Sequence, residues 1–189
     1  MKRSEINSAL ANAIRCFADH QFALPPRPGW DATDFGLNDF HRYGAVLVNL
    51  ALEEEYSEKA IYMTHRQTVP SHCHKKKKED IICRAGVISM QVWFGMPGQW
   101  NATGKIQVNN ALQTVPSGHI FHLTAGERIT LPPPVHHEFW ALSDEVIIGE
   151  VSTKNDDLHD NFFVNPKVGR FPQIVEDEPP LERLVGEQG

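Results

Sequence analysis

The sequence predicts an all-β protein, a sandwich or barrel preceded by one helix, and three observations lead there. From about residue 45 onward, short runs containing β-branched and aromatic residues follow one another, several of them separated by Gly, Pro, Asn or Ser clusters. No long helical pattern intervenes between those runs, which argues against alternating α/β units. The chain has 189 residues, 41% hydrophobic and 22% charged, enough for one domain with a sizeable core, or one domain with extensions.

Taken in order, residues 4–19 read as an amphipathic helix. Ile6, Leu10, Ala13, Ile14 and Phe17 recur at three- and four-residue steps, and Ser4 can cap the open end. Pro25-Pro26-Arg27-Pro28-Gly29 stops any helix, because proline lacks the amide donor and fixes φ. Residues 25–44 are expected to be an irregular arm. Residues 1–44 would then pack as helix and arm on a barrel formed by residues 45–189, which includes a C-terminal extension, all within a single domain. Strands are expected at 45–52, 59–64, 79–84, 87–94, 105–108, 119–123, 128–131, 138–142 and 146–151. Beyond 151 the tail is polar and irregular, running into the acidic stretch Glu176-Asp177-Glu178-Pro179-Pro180.

Charge narrows the function. Lys plus Arg total 18 against 24 Asp plus Glu, a formal net charge of -6, whereas a nucleic-acid or anionic-membrane binder needs excess cations. No apolar run approaches the roughly 18 residues that span a membrane. The best run is residues 45–52, interrupted by Asn49. Lys2 and Arg3 have no apolar segment behind them, so a secretory signal is not expected. Cys16, Cys73 and Cys83, odd in number and irregularly spaced, form no disulfide framework, and a reducing cytoplasmic setting is the expectation.

Chemistry concentrates in Pro70-Ser71-His72-Cys73-His74-Lys75-Lys76-Lys77-Lys78-Glu79. On a strand, alternation would put the His72 and His74 imidazoles on one face and Cys73 on the other, as a small buried hydrophobe. Two such imidazoles are half of a metal site. A hairpin would bring the Glu79 carboxylate back beside them. A fourth ligand would come from a distant strand, with His119, His122, His136 and His137 as candidates.

This spacing resembles the cupin superfamily. Its first motif is Gly, five residues, His-x-His, three or four residues, Glu, six residues, Gly; here His72, His74, Glu79 and Gly86 fit, with Arg66 in place of the leading glycine. Its second motif matches at Gly126, Pro132 and His137, with Pro134 and Ala141 in place of a glycine and an asparagine. The resemblance implies a double-stranded β-helix, or jelly-roll barrel, in which His72, His74, Glu79 and His137 surround a divalent metal.

A narrower resemblance lies within that superfamily. Lys59-Ala60-Ile61, Pro70 to His74, Lys77-Lys78-Glu79, Cys83-Arg84-Ala85-Gly86, Leu131-Pro132-Pro133, His137-Glu138-Phe139-Trp140, Gly149 to Thr153, Asn155-Asp156-Asp157, His159-Asp160 and Asn165-Pro166 are similar to the D-lyxose ketol-isomerases over roughly residues 43–172. The resemblance implies a manganese-dependent enzyme, with zinc, iron, cobalt or nickel as other compatible ions. It would interconvert D-lyxose with D-xylulose, and D-mannose with D-fructose, as a homodimer with a small sugar as its partner. Glu150 would transfer the proton, Lys77 would assist it in the pocket, and Lys59 and Asp160 would contact or close over the sugar. The same ligands would serve a cupin dioxygenase or a non-catalytic sugar-binding cupin, but neither has need of the Lys77–Glu150 pair. Trp93, Trp100 and Trp140 are expected to fill the barrel or a dimer contact, with Trp140 in the core.

Overall fold

The computed structural model describes residues 1–169 and 173–187; the last residues of the segment that carries the resemblance, 170–172, and the final two of the tail lie outside them. In chain order the elements are α1 (Arg3–Asp19), β1 (Gly29–Thr33), α2 (Phe40–Tyr43), β2 (Ala45–Leu52), β3 (Tyr56–Thr64), β4 (Thr68–Cys73), β5 (Glu79–Ala85), β6 (Val87–Trp93), β7 (Thr103–Val108), β8 (Ala111–Pro116), β9 (His119–Thr124), β10 (Arg128–Leu131), β11 (His136–Ala141), β12 (Glu145–Thr153) and β13 (Phe162–Phe163), with a 3-10 turn at Val185–Glu187. One sheet runs β1-β2-β3-β12-β5-β10-β7-β8 and the other β13-β4-β11-β6-β9, and the pairings between these strands are antiparallel. Their centres, β3-β12-β5-β10 against β4-β11-β6-β9, form the jelly roll of the cupin fold.

Alternation builds two cores on the two faces of the larger sheet. Ile61, Met63, Ile81, Ile129 and Ile148 point inward and meet Ile88, Met90, Val92, Leu123 and Phe139 of the smaller sheet. On the outer face Trp30, Val46, Val48, Ala60, Tyr62 and Ile147 bury the apolar stripe of α1, made by Ile6, Leu10, Ala13 and Phe17. Each of those large aliphatic side chains is worth about 1.5–3 kcal/mol when taken fully from water, so α1 is bound to the barrel by its stripe.

Several expectations change. The arm is not irregular throughout: residues 29–33 add a strand to the edge beyond β2, and residues 40–43 form a helical turn capped by Asp39. Charged and polar neighbours mask β8, where only Val115 is buried, and β4, which holds Pro70. α1 begins at Arg3, and Ser4 is not its cap. Instead the Ser4 amide and hydroxyl donate to the Asp177 carboxylate at 2.9 and 2.7 Å, so the cap comes from the far end of the chain. None of the three named tryptophans fills the barrel. Trp140 adjoins inward-facing Phe139 and so lies half-buried on the outside, Trp93 is buried but adjoins inward-facing Val92 and so falls on the opposite pleat, and Trp100 is exposed.

The motif departures also have a backbone account. Gly86 and Gly126 adopt φ of 78° and 94°, and Arg66, standing where the motif has glycine, adopts 67°. Its amide donates to Ala141 O at 2.9 Å, which fastens the turn despite the side chain.

Candidate metal centre

Four buried side chains converge at one end of the barrel interior: the ligand atoms of His72, His74, Glu79 and His137 all lie within 4.8 Å of one another. His72 belongs to β4, and His137 is its direct cross-strand partner on β11. That pairing separates the two adjacent histidines of β11. His137 shares the inward face with Phe139, whereas His136 falls on the opposite pleat. His74 lies just beyond the end of β4, and Glu79 opens β5. A β4–β5 hairpin is therefore not what joins them. The two strands belong to different sheets, residues 74–78 cross between the sheets, and Glu79 faces the imidazoles from the opposite wall.

Each imidazole is held from behind. Nδ1 of His72, His74 and His137 donates to the carbonyls of Pro70 (2.8 Å), Asp160 (2.6 Å) and Val135 (3.1 Å), since a carbonyl can only accept. In the neutral rings this leaves the Nε2 lone pairs facing inward. His74 Nε2 stands 3.3 Å from Glu79 Oε1 and His137 Nε2 stands 2.9 Å from it, yet these three atoms have no hydrogen-bond partner among the described residues. Buried acceptors pointed at one another are repulsive unless a cation lies between them. The donor set fits a divalent transition ion, and at His72 the neutral ring it requires is favoured. Burial, reinforced by His137 and His74, holds the His72 pKa well below its usual range. Burial alone would raise the Glu79 carboxyl, but the Lys77 charge holds it well below the usual carboxylate range.

Beside the cluster runs a chain of alternating charges. Lys77 Nζ donates to Glu79 Oε2 at 2.8 Å and to Glu150 Oε1 at 3.0 Å. Lys59 Nζ lies 3.9 Å from the same Glu150 oxygen, 3.6 Å from Asp157 and 3.3 Å from Asn155 Oδ1. Burial opposes the Lys77 charge, but Glu150 and Glu79 push its pKa up, so it remains an ammonium. These groups line a cavity of about 200 Å³.

Of the residues singled out in the sequence, Lys59, Lys77, Glu150, His72 and Glu79 line that cavity, whereas His74, His137 and Asp160 do not. The Asp160 carboxylate instead accepts the amides of Lys75 (2.9 Å), Lys76 (3.1 Å) and Lys77 (2.8 Å), tying down the crossing turn. His119, His122 and His136 stand outside the cluster; His122 pairs with Ser89. Other cavity residues were not anticipated, among them Asp31, Phe35, Asn49, Asn161 and Phe163. One signal was present: Asn49 is the polar interruption in an otherwise apolar strand.

A family profile described as D-lyxose isomerase matches residues 27–188. A curated D-lyxose/D-mannose isomerase of Escherichia coli O157:H7 is 34% identical, covering 95% of this chain and 94% of that protein. A D-lyxose ketol-isomerase of Cohnella laeviribosi is 31% identical, covering 94% of this chain and all of that protein (100%). Among solved structures, an L-ribose isomerase of Cellulomonas parahominis superposes with a TM-score of 0.71 at 15% identity, covering 93% of this chain and 98% of that one, a likeness of fold.

Proposed function

The chain belongs to the D-lyxose isomerase family, and from that premise we propose that it interconverts D-lyxose with D-xylulose, and D-mannose with D-fructose, by moving a proton between C1 and C2 through a cis-enediol. The observation that carries this reading is the Lys77–Glu150 pair, 3.0 Å apart, on the wall of a cavity that His72 and Glu79 of the ligand cluster also line.

In this reading His72, His74, Glu79 and His137 hold a divalent ion, manganese first, with zinc, iron, cobalt or nickel compatible with the same donors. When bound, such an ion supplies Lewis-acid stabilisation for negative charge developing on sugar oxygens. Glu150 takes the proton from one carbon and returns it to the other, while the hydroxyl proton passes between O2 and O1 beside the Lys77 ammonium, so that the cis-enediol forms and collapses with protons balanced. Lys77, kept protonated by its two carboxylate neighbours, donates to Glu150 and adds positive charge beside the oxygens that become negative. Lys59, 3.9 Å from the same Glu150 oxygen, offers donors to sugar hydroxyls. Asp160 acts through the turn, fixing the backbone that presents His74 and Lys77, and does not contact the sugar. The same reading takes the protein as a cytoplasmic homodimer; light scattering of the purified protein checks the dimer.

An anaerobic assay of the purified protein with Mn²⁺ tests the activity. D-Lyxose should yield D-xylulose and D-mannose should yield D-fructose without oxygen. Turnover of neither sugar, or a strict oxygen requirement, would overturn the proposal.

A further inference from the structure

The register of the larger sheet lays a ruler along the cavity floor. Ile81 pairs with Glu150, Glu150 with Lys59, Lys59 with Asn49 and Asn49 with Gly29, so one unbroken row crosses five neighbouring strands. Directly opposed residues of antiparallel strands project from the same face. Glu150, Lys59 and Asn49 all line the cavity, so this face is the one that looks into it. Neighbouring strands lie about 4.8 Å apart, so the backbones at Asn49 and Glu150 stand two spacings, about 10 Å, from one another.

We infer that Asn49 reads the terminal hydroxyl of the sugar and sets the preference between five- and six-carbon substrates. This inference rests on the proposed isomerase reading, because it places C1 and C2 at the Glu150 carboxylate. On the scale of that spacing, an extended six-carbon chain plus one hydrogen bond of about 2.8 Å spans about 10 Å, whereas a five-carbon chain ends one bond short. The Asn49 side chain is poised for this. Its Nδ2 donates to Gly29 O at 3.3 Å, which orients the amide, while its Oδ1 has no partner among the described residues and can accept from a hydroxyl. A β-bulge follows at once, with two steps of β2, Asn49 to Ala51, against one of β3, Lys59 to Glu58. Bulges of this kind re-aim side chains beside functional sites. The C-terminal turn shares the cavity lining with Asn49. Val185 lines the cavity and packs over Gly29, where an added Cβ would come within 3.4 Å of Val185 Cγ1. The same added Cβ would come within 3.5 Å of Asn49 Cβ, so Val185 and Asn49 flank Gly29 together.

The test compares Asn49→Ala and Val185→Phe with the parent protein on D-mannose and D-lyxose. It adds calorimetric binding of the unreactive alditols D-mannitol and D-arabinitol. Asn49→Ala should lower kcat/KM for D-mannose about tenfold and that for D-lyxose less than about threefold, as loss of one hydrogen bond to substrate implies. D-Mannitol binding should weaken in the same proportion, with D-arabinitol binding nearly unchanged. Val185→Phe, on a partly exposed turn, should penalise the six-carbon compounds in the same sense by filling the cavity beside Asn49. Equal losses for both chain lengths, or no change in either, would overturn the inference. If Asn49→Ala does not fold, Val185→Phe and the alditol pair decide it. A parent that turns over neither sugar would instead defeat the isomerase reading, and this inference with it.

Discussion

At the residue scale, the centre is organised by what stands behind each group. Each histidine spends Nδ1 on a carbonyl, so its Nε2 is committed to the interior. Glu150 has a different task from Glu79, although both touch Lys77. Glu79 Oε1 points at the imidazoles, whereas Glu150 is one strand removed, on the cavity wall. Two substitutions separate these roles. Glu150→Gln should cut turnover by roughly a hundred- to ten-thousandfold, as expected for loss of a proton-transfer group, while metal content by elemental analysis stays near that of the parent. His137→Ala should strip the metal, lowering affinity by more than about a hundredfold, since even outer partners of ligands cost 10–100-fold. Loss of metal from the first variant, or full metal in the second, would contradict the assignment.

At the element scale, the decisive piece is the five-residue crossing from β4 to β5. It carries His74 and Lys77 between sheets without secondary structure of its own, and Asp160 supplies acceptors for its amides at Lys75, Lys76 and Lys77. Burial would raise the Asp160 carboxyl, but those amides hold its pKa below the usual value, as expected for an anion caught in a ring of N–H donors. Asp160→Ala should cost about 2–3 kcal/mol of stability in thermal or denaturant unfolding and weaken metal binding. The wild-type Asp160 carbonyl remains to hold His74, so metal should be weakened and not abolished. A variant as stable as the parent with unchanged metal affinity would remove Asp160 from its positioning role.

At the scale of the whole molecule, the two ends of the chain are tied to one another and thereby to the cavity. Arg3, only 1% exposed, pairs with Glu176 at 2.6 Å and with Glu187. Lys2 and Val175 form a bridge, and Leu181 donates its amide to Asn7. Glu187 also accepts from the Leu184 amide at 2.9 Å, closing the turn that carries Val185 to the cavity. Burial pushes the Glu187 carboxyl up, but the stronger combined pull of Arg3 and the Leu184 amide leaves its pKa below the ordinary 4.5. A depressed carboxylate adds stability above its unfolded value, and that stability is lost as pH falls through the folded value. Arg3→Leu should therefore lower the thermal midpoint by several degrees near pH 7. The gap from the parent should narrow below about pH 4.5, as the carboxylates protonate in both proteins. A gap independent of pH would show that Arg3 acts through packing alone.

Local pattern was enough to indicate a helix, a β barrel and a His-x-His followed by Glu, because periodicity and motif spacing act over a few residues. Resemblance added Lys77, Glu150 and His137 as candidates. Which of the adjacent His136 and His137 faces inward is decided by the pleat of β11, which puts His137 with Phe139. That Glu79 meets the imidazoles from the opposite sheet, that Asp177 caps α1, and that Asn49 stands in one row with Lys59 and Glu150 were not legible in the chain. Those relations depend on strand register and on contacts between residues as much as 173 positions apart. A side chain's type is written in the sequence, but its neighbours across a sheet are chosen only when both cores close and the register is set.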